Sequence, residues 1–263
     1  MINKTTVSGG QKPYSAPALE KGLDILELLA KEQAAMSAPQ ISSALNRSKS
    51  EIYRMLTVLE SRGYLARDDG SDDFRITNRL FDLGMSVSPI GTLVESAYPV
   101  MHELSERIRQ SCHLVVASGE HMVIVARVES SAVFGFSVKV GRHASLFETT
   151  SGIVLLAFMP SAEREELFLA HGRQSRGFDR SAFMAKLEAM QKRGWLQQES
   201  IDVPGITDIC VPVFQGGTDQ AIACLMVPYL KTSRTKMPLV ESRKLIGEAA
   251  NEISSLAATH QGF

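Results

Sequence analysis

The segment NRSKSEIYRMLTVLESRGYLAR, residues 46–67, sets five basic side chains among isoleucine, methionine and leucine. Its meaning turns on which of these point inward. At about 100° per residue, Ile52, Met55, Leu56 and Leu59 fall on one continuous stripe of a helix that starts at Lys49. Lys49, Ser50, Tyr53, Arg54 and Thr57 fall on the opposite face, concentrated toward the N-terminal end. One face therefore packs on a core. The other offers a lysine, an arginine, a tyrosine and two hydroxyls. Five bases against two acids, Glu51 and Glu60, leave a local positive surplus in a chain whose net charge is −1.

The flanks extend the pattern. Ser48 with Glu51, and Ser37 with Gln40, are capping-box spacings that start two consecutive helices. Pro39 is tolerated in the first turn of the earlier one. Asn46 and Arg47 leave only a tight turn between them. Before these, ALEKGLDILELLA (18–30) has helical apolar spacing. After them, Gly63 stands where a helix-ending glycine is expected. YLAR and FRIT then alternate around DDGSDD as a hairpin. Helix, short helix, second helix and hairpin make a winged helix-turn-helix over 18–78. Residues 1–17 read as a flexible tail and 79–98 as a linker helix region, broken near Ser88-Pro89-Ile90-Gly91.

From residue 99 to 263 the pattern is mixed. HLVVAS and HMVIVARV, WLQQES, ITDICVPVF and AIACLMVPY have strand character. SGIVLLAFM reads as a buried helix, two amphipathic helices follow it, and a last helix spans roughly 238–258. The expected fold class is α+β: the winged helix-turn-helix, the linker helix, and an antiparallel sheet with flanking helices.

Composition excludes much. No apolar run reaches the roughly 18 residues of a membrane span, and the N-terminus lacks the apolar core of a secretory signal. Three well-separated cysteines, Cys112, Cys210 and Cys224, form no disulfide framework and suit a reducing cytoplasm. Cys112-His113 with His121 matches no zinc spacing. No G-x-S-x-G, Walker loop, G-x-G-x-x-G or H-E-x-x-H occurs. No cofactor, metal or catalytic set is expected.

ALEKGLDILELLA with APQISSALNRSKSEIYRMLTVLESRGYL (38–65) resembles the DNA-binding half of IclR-type bacterial transcriptional regulators. VGRHASLFETTSGIVLLAFMP (140–160), RGWLQQES (193–200) and GITDICVPVF (205–214) resemble the other half, in the family's order. The resemblance implies a GAF-like effector domain, dimers often paired into tetramers, a pseudo-palindromic double-stranded DNA operator and a small-metabolite effector. It is not an enzyme on this reading. An enzyme built on the C-terminal domain, or a winged helix that binds protein, stays as the alternative.

For DNA, the candidates are Lys49, Ser50, Tyr53 and Arg54 on the second helix of the motif, Arg47 in the turn and Arg75 in the hairpin. A solvated amphipathic helix is the plainer reading of the same charges. The acidic hairpin tip is expected to keep clear of phosphate. For the effector, the resemblance implies a pocket at the start of SGIVLLAF. Thr149, Thr150 and Ser151 would grip an anionic end there, because first-turn amides lack internal partners. Across it would stand Ile206, Asp208, Cys224 and Met226, with Glu199 nearby. The chain departs from the family's pattern at Phe147, where histidine is usual, at Ile153, where lysine is usual, and at Met226 and Pro228, where small polar residues are frequent. Phe147 and Met226 predict a greasier pocket, hence a carboxylic acid with an apolar or aromatic body, unless both are simply core.

Overall fold

The computed structural model describes residues 15–68, 70–86, 90–175 and 177–259. It divides into two compact units, residues 1–87 and 88–263. Most of the N-terminal tail, Ser88-Pro89 of the expected break and Asp69 of the hairpin tip lie outside the described residues.

In the first unit, α1 (Pro17–Glu32) begins on a proline and ends at Gln33 in the left-handed region. Ser37 caps α2 (Ala38–Ala44): its N–H donates to Gln40 Oε1 at 2.7 Å and its Oγ accepts from Gln40 N at 3.4 Å. At α3 (Lys49–Ser61) the Glu51 carboxylate accepts from Ser48 N at 3.2 Å and from Ser48 Oγ at 2.7 Å. Both capping boxes form as their spacing requires. The turn between them closes when Asn46 enters the left-handed region and Ser42 Oγ donates to Arg47 O at 2.7 Å. Ile25, Leu29, Ile41, Ile52 and Leu56 meet Leu65 and Phe74 of the hairpin in one core. That hairpin pairs β1 (Leu65–Arg67) with β2 (Phe74–Ile76), Arg67 opposite Phe74. Met36 exchanges two backbone hydrogen bonds with Phe74, which clamps the α1–α2 connection to the wing. The first unit closes with α4 (Arg79–Ser86).

Glu51 has a second task. Lys21 on α1 donates to it at 2.5 Å, and Lys21 first, then Ser48, hold its carboxyl down to about 2. One residue thus starts the second helix of the motif and ties it to the first.

The second unit begins with α5 (Ile90–Ile108), which runs through Pro99. The expected boundary at 98/99 falls inside this helix. Leu93 and Ala97 are buried in the same core as Leu104 and Ile108, so residues 90–98 belong to the C-terminal unit. Six antiparallel strands follow: β3 (Cys112–Ser118), β4 (His121–Val128), β5 (His143–Ser145), β6 (Leu196–Glu199), β7 (Ile206–Phe214) and β8 (Ala221–Leu230), in the order β5-β4-β3-β8-β7-β6. Strand β5 is too short to show an alternation in the sequence and is an addition to the expected elements. Helix α5 and α9 (Leu239–Thr259) cover one face through Val100, Ile246, Ala250 and Ile253. Helices α6 (Thr150–Phe158), α7 (Ser161–Gln174) and α8 (Arg180–Arg193) cover the other. Strand alternation serves both faces: Ile209, Val211 and Val213 pack toward α5 and α9, Cys210 toward α6.

One irregularity matters for function. Leu114 pairs with Ala126 but Val115 pairs with Ile124, so β4 carries an extra residue, Val125. This bulge turns Met122 and Ile124 to the α6 face while Ala126 and Val128 join the α5 face.

Candidate functional site

The exposed face of α3 is as the period requires. Ile52 and Leu56 are fully buried, whereas Lys49, Ser50, Tyr53, Arg54 and Thr57 are exposed. The first turn of α2 borders this face: Ala38 and Pro39 with Lys49, Ser50, Tyr53 and Arg54 line a shallow apolar depression. Among the described residues Arg54 is held by its own helix, Nε donating to Ser50 O at 3.3 Å. The helix N-terminus adds partial positive charge at the same end.

The other expected DNA contacts are less free. Arg47 lies 3.8 Å from Asp24 of α1. Arg75 pairs with Asp68 at 2.8 Å. Arg67 contacts Glu60 and Asp72 at 3.0 Å each and sits over the Phe74 ring. Glu60, and after it Tyr53, raise the pKa of that guanidinium further. Two of the tip's acids are therefore answered by bases of the wing strands, which explains how an acidic tip coexists with a basic face.

In the second unit a pocket opens where α6 begins. Its walls are Thr149, Thr150 and Ser151, Asp208 and Met226 of the sheet, Met122 and Ile124 from beyond the bulge, Phe136, Val138 and Arg142 of the 129–142 loop, Glu148, and Ser200, Ile201 and Asp202. Five of the nine expected residues meet here: Thr149, Thr150, Ser151, Asp208 and Met226. Four are not in its walls. Phe147 is 7% exposed and stacks on His171 at 3.9 Å, ringed by Phe168, Phe178 and Phe183. It is a core residue between α6, α7 and α8, so it contributes no aromatic wall. Cys224 is fully buried beside Cys210, and Ile206 is buried in the strand. Glu199 stands exposed at the end of β6, where Oε1 accepts from Gly205 N at 3.5 Å.

The helix start is already engaged. Thr149 Oγ1 accepts from Gly152 N at 3.1 Å and donates to Ser145 O at 3.0 Å. Gln198 Nε2 donates to Thr150 Oγ1 at 2.9 Å, and Thr150 donates in turn to Asp208 Oδ2 at 3.0 Å. Asp208 is 5% exposed, and its Oδ1 has no hydrogen-bond partner among the described residues. Burial pushes the Asp208 carboxyl above its ordinary range, against Thr150 and Ser200, which pull it down. At the mouth, Arg142 and Asp202 form an ion pair of 2.6 Å. The free volume is about 30 Å³, room for a water and far less than a ring needs.

Arg142, Asp202, Met122 and Ile124 join the site without having been expected there. For Arg142 the sequence offers one signal, a charge beside Gly141 just ahead of the α6 segment. Nothing local marks Asp202.

The 129–142 loop is pinned by His113, whose Nε2 accepts from Val138 N at 2.9 Å. His113 is fully buried; burial first, then Arg127, pushes its pKa down to about 4. The folded state thus favours neutral imidazole, and this stability is present above about pH 6.5 and lost as pH falls through 4. Urea unfolding should show stability falling over that window. In His113→Gln the fall should be smaller by on the order of 2–3 kcal/mol; an identical slope would mean that the imidazole does not carry it.

Family models match both units: the IclR helix-turn-helix domain over residues 18–69 and the bacterial transcriptional regulator IclR C-terminal domain over 90–255. The HTH-type transcriptional regulator KdgR of Escherichia coli is 27% identical over 95% of this chain and 96% of its own length. XynR of the same organism is 25% identical, over 90% and 95%. Among solved structures, an IclR homolog from Microbacterium hydrocarbonoxydans complexed with 4-hydroxybenzoate aligns with a TM-score of 0.76 at 21% identity, covering 92% of this chain and 99% of that one. An Alicyclobacillus acidocaldarius regulator aligns at 0.73 and 17%, covering 93% and 100%. With a named family domain matched over each of its two units, the chain belongs to the IclR family of bacterial transcriptional regulators.

Proposed function

We propose that the protein binds a pseudo-palindromic operator as a dimer, or as paired dimers, and that a small carboxylic acid controls this binding at genes for its own catabolism. The single observation that carries the DNA reading is the bare polar face of α3: Lys49, Ser50, Tyr53 and Arg54 exposed above a fully buried Ile52 and Leu56. In a helix-turn-helix such a face enters the major groove by its N-terminal end. Arg54 forks onto a guanine, Tyr53 and Ser50 reach base or phosphate, and Lys49 takes phosphate. Arg47 and Arg75 reach the backbone after leaving Asp24 and Asp68.

Self-association is supported by apolar surface in the first unit: Leu19 and Leu23 of α1, and Leu80, Phe81 and Leu83 of α4, are between 37% and 66% exposed. The effector enters beside α6, its carboxylate at Arg142 and its apolar body on Met122, Ile124, Phe136 and Met226. Because the pocket is nearly closed, entry requires the 129–142 and 200–205 loops to part. The 4-hydroxybenzoate of the Microbacterium homolog makes aromatic acids a first choice of ligand. The ligand signal passes through residues 79–110. Cytoplasmic location follows from the work proposed.

Fluorescence anisotropy with DNA from upstream of the protein's own gene tests this. Tight binding that weakens steeply with salt, and that shifts on adding an acid, is expected. Binding no tighter than to random DNA would overturn it.

A further inference from the structure

Among its described walls the pocket holds one cation, Arg142, against three carboxyl groups, Glu148, Asp202 and Asp208. A plain acid pushed in carboxylate first would meet Asp208, where like charge and low dielectric oppose it. The wall around Asp208 is also directional. The Gln198 amide nitrogen can only donate, so the Thr150 hydroxyl that receives it must spend its own proton on Asp208 Oδ2. Oδ2 is therefore an acceptor already in use. Oδ1 is buried and has no hydrogen-bond partner among the described residues; Asp208 lines the pocket, with the Ser200 hydroxyl close enough to favour its ionised form. Leaving such an atom unmet costs free energy that a suitable ligand group would return. At the mouth, the Arg142–Asp202 pair is half exposed and exchangeable.

On the reading that this pocket takes an acid effector, we infer that the effector is bifunctional: a hydroxyl or amino group on its inner end donates to Asp208 Oδ1, while its carboxylate replaces Asp202 on Arg142. The site is thus built for a hydroxy acid or amino acid rather than for a simple carboxylic acid. The carboxylate docks at the outer cation, not at the start of α6, whose Thr149 and Thr150 hydroxyls are spoken for. Asp208 then acts as the residue that sets specificity, because a methyl ether or a plain hydrogen at the same place leaves its oxygen unmet.

Isothermal titration calorimetry on the full-length protein with paired acids tests this. Each pair, aromatic and aliphatic, comprises a hydroxy acid and its methyl ether. In at least one pair the hydroxy acid should bind the wild type at least about tenfold tighter. Asp208→Asn, which keeps shape and the Thr150 contact, should cut that ratio to within about twofold. Arg142→Gln should weaken both members alike. Equal binding of hydroxy acid and ether by the wild type, with Arg142→Gln still weakening both, overturns the inference and leaves the acid-effector reading standing. Failure of every acid to bind overturns both. The wild-type comparison decides even where a variant fails to fold.

Discussion

Arg54→Ala lowers operator affinity by roughly 10- to 100-fold, about 1–3 kcal/mol, and leaves the melting temperature unchanged. The first half follows from placement: Arg54 is exposed on the N-terminal half of α3, the half that a helix-turn-helix turns toward base edges. The second half follows from its surroundings, since it bonds to the Ser50 carbonyl of its own helix. Lys49→Ala gives a different signature. Without its ammonium group on phosphate, binding to every sequence weakens alike and the salt dependence falls by about one counterion. Gel shift against operator and scrambled DNA, run at several salt concentrations, separates the two. Unchanged operator affinity in Arg54→Ala, with circular dichroism intact, would remove that residue from base reading.

Gly152→Ala should destabilise the C-terminal unit by more than about 3 kcal/mol, lowering its melting temperature by about 10 °C, and should abolish the effector response. A Cβ there would lie 2.3 Å from Leu146 O and 2.5 Å from Leu146 Cα. These are backbone atoms of the chain leading into α6, so relief requires the helix to move away from that segment. The same movement would break the Thr149 cap and displace Thr150 from Asp208. Gly172→Ala is the control. It sits in α7 with open space around a Cβ, and alanine there should be neutral or stabilising by up to about 1 kcal/mol. Differential scanning calorimetry of the two variants gives the answer; a Gly152→Ala protein melting with the wild type would refute the close-approach argument.

Among the predicted elements, those carried by local signals formed. The stripe of Ile52, Leu56 and Leu59 needs only the 3.6-residue period, and both capping boxes need only residues three apart. The same holds for β7 and β8, whose apolar runs and intervening glycines lie within one hairpin. The 143–145 strand is silent in the sequence because three residues carry no period. A boundary at 98/99 is too late because Leu93 and Ala97 join a core whose other members lie as far away as Ala257.

By itself the sequence determined the helices of the first unit and the long strands of the second, which face of α3 stays bare and, through resemblance, which kind of pocket to look for. Only the tertiary structure decided who lines that pocket. Arg142 and Asp202 are 60 residues apart, Thr150 and Asp208 are 58, and neither pair has a spacing that repeats. The bulge at Val125 turns Met122 and Ile124 toward the site, whereas packing with Phe168 and Phe183 draws Phe147 out of it. Backbone periodicity is a property of neighbours and can be read along the chain. Side-chain meetings across a sheet depend on register and packing, which exist only once the chain has closed on itself.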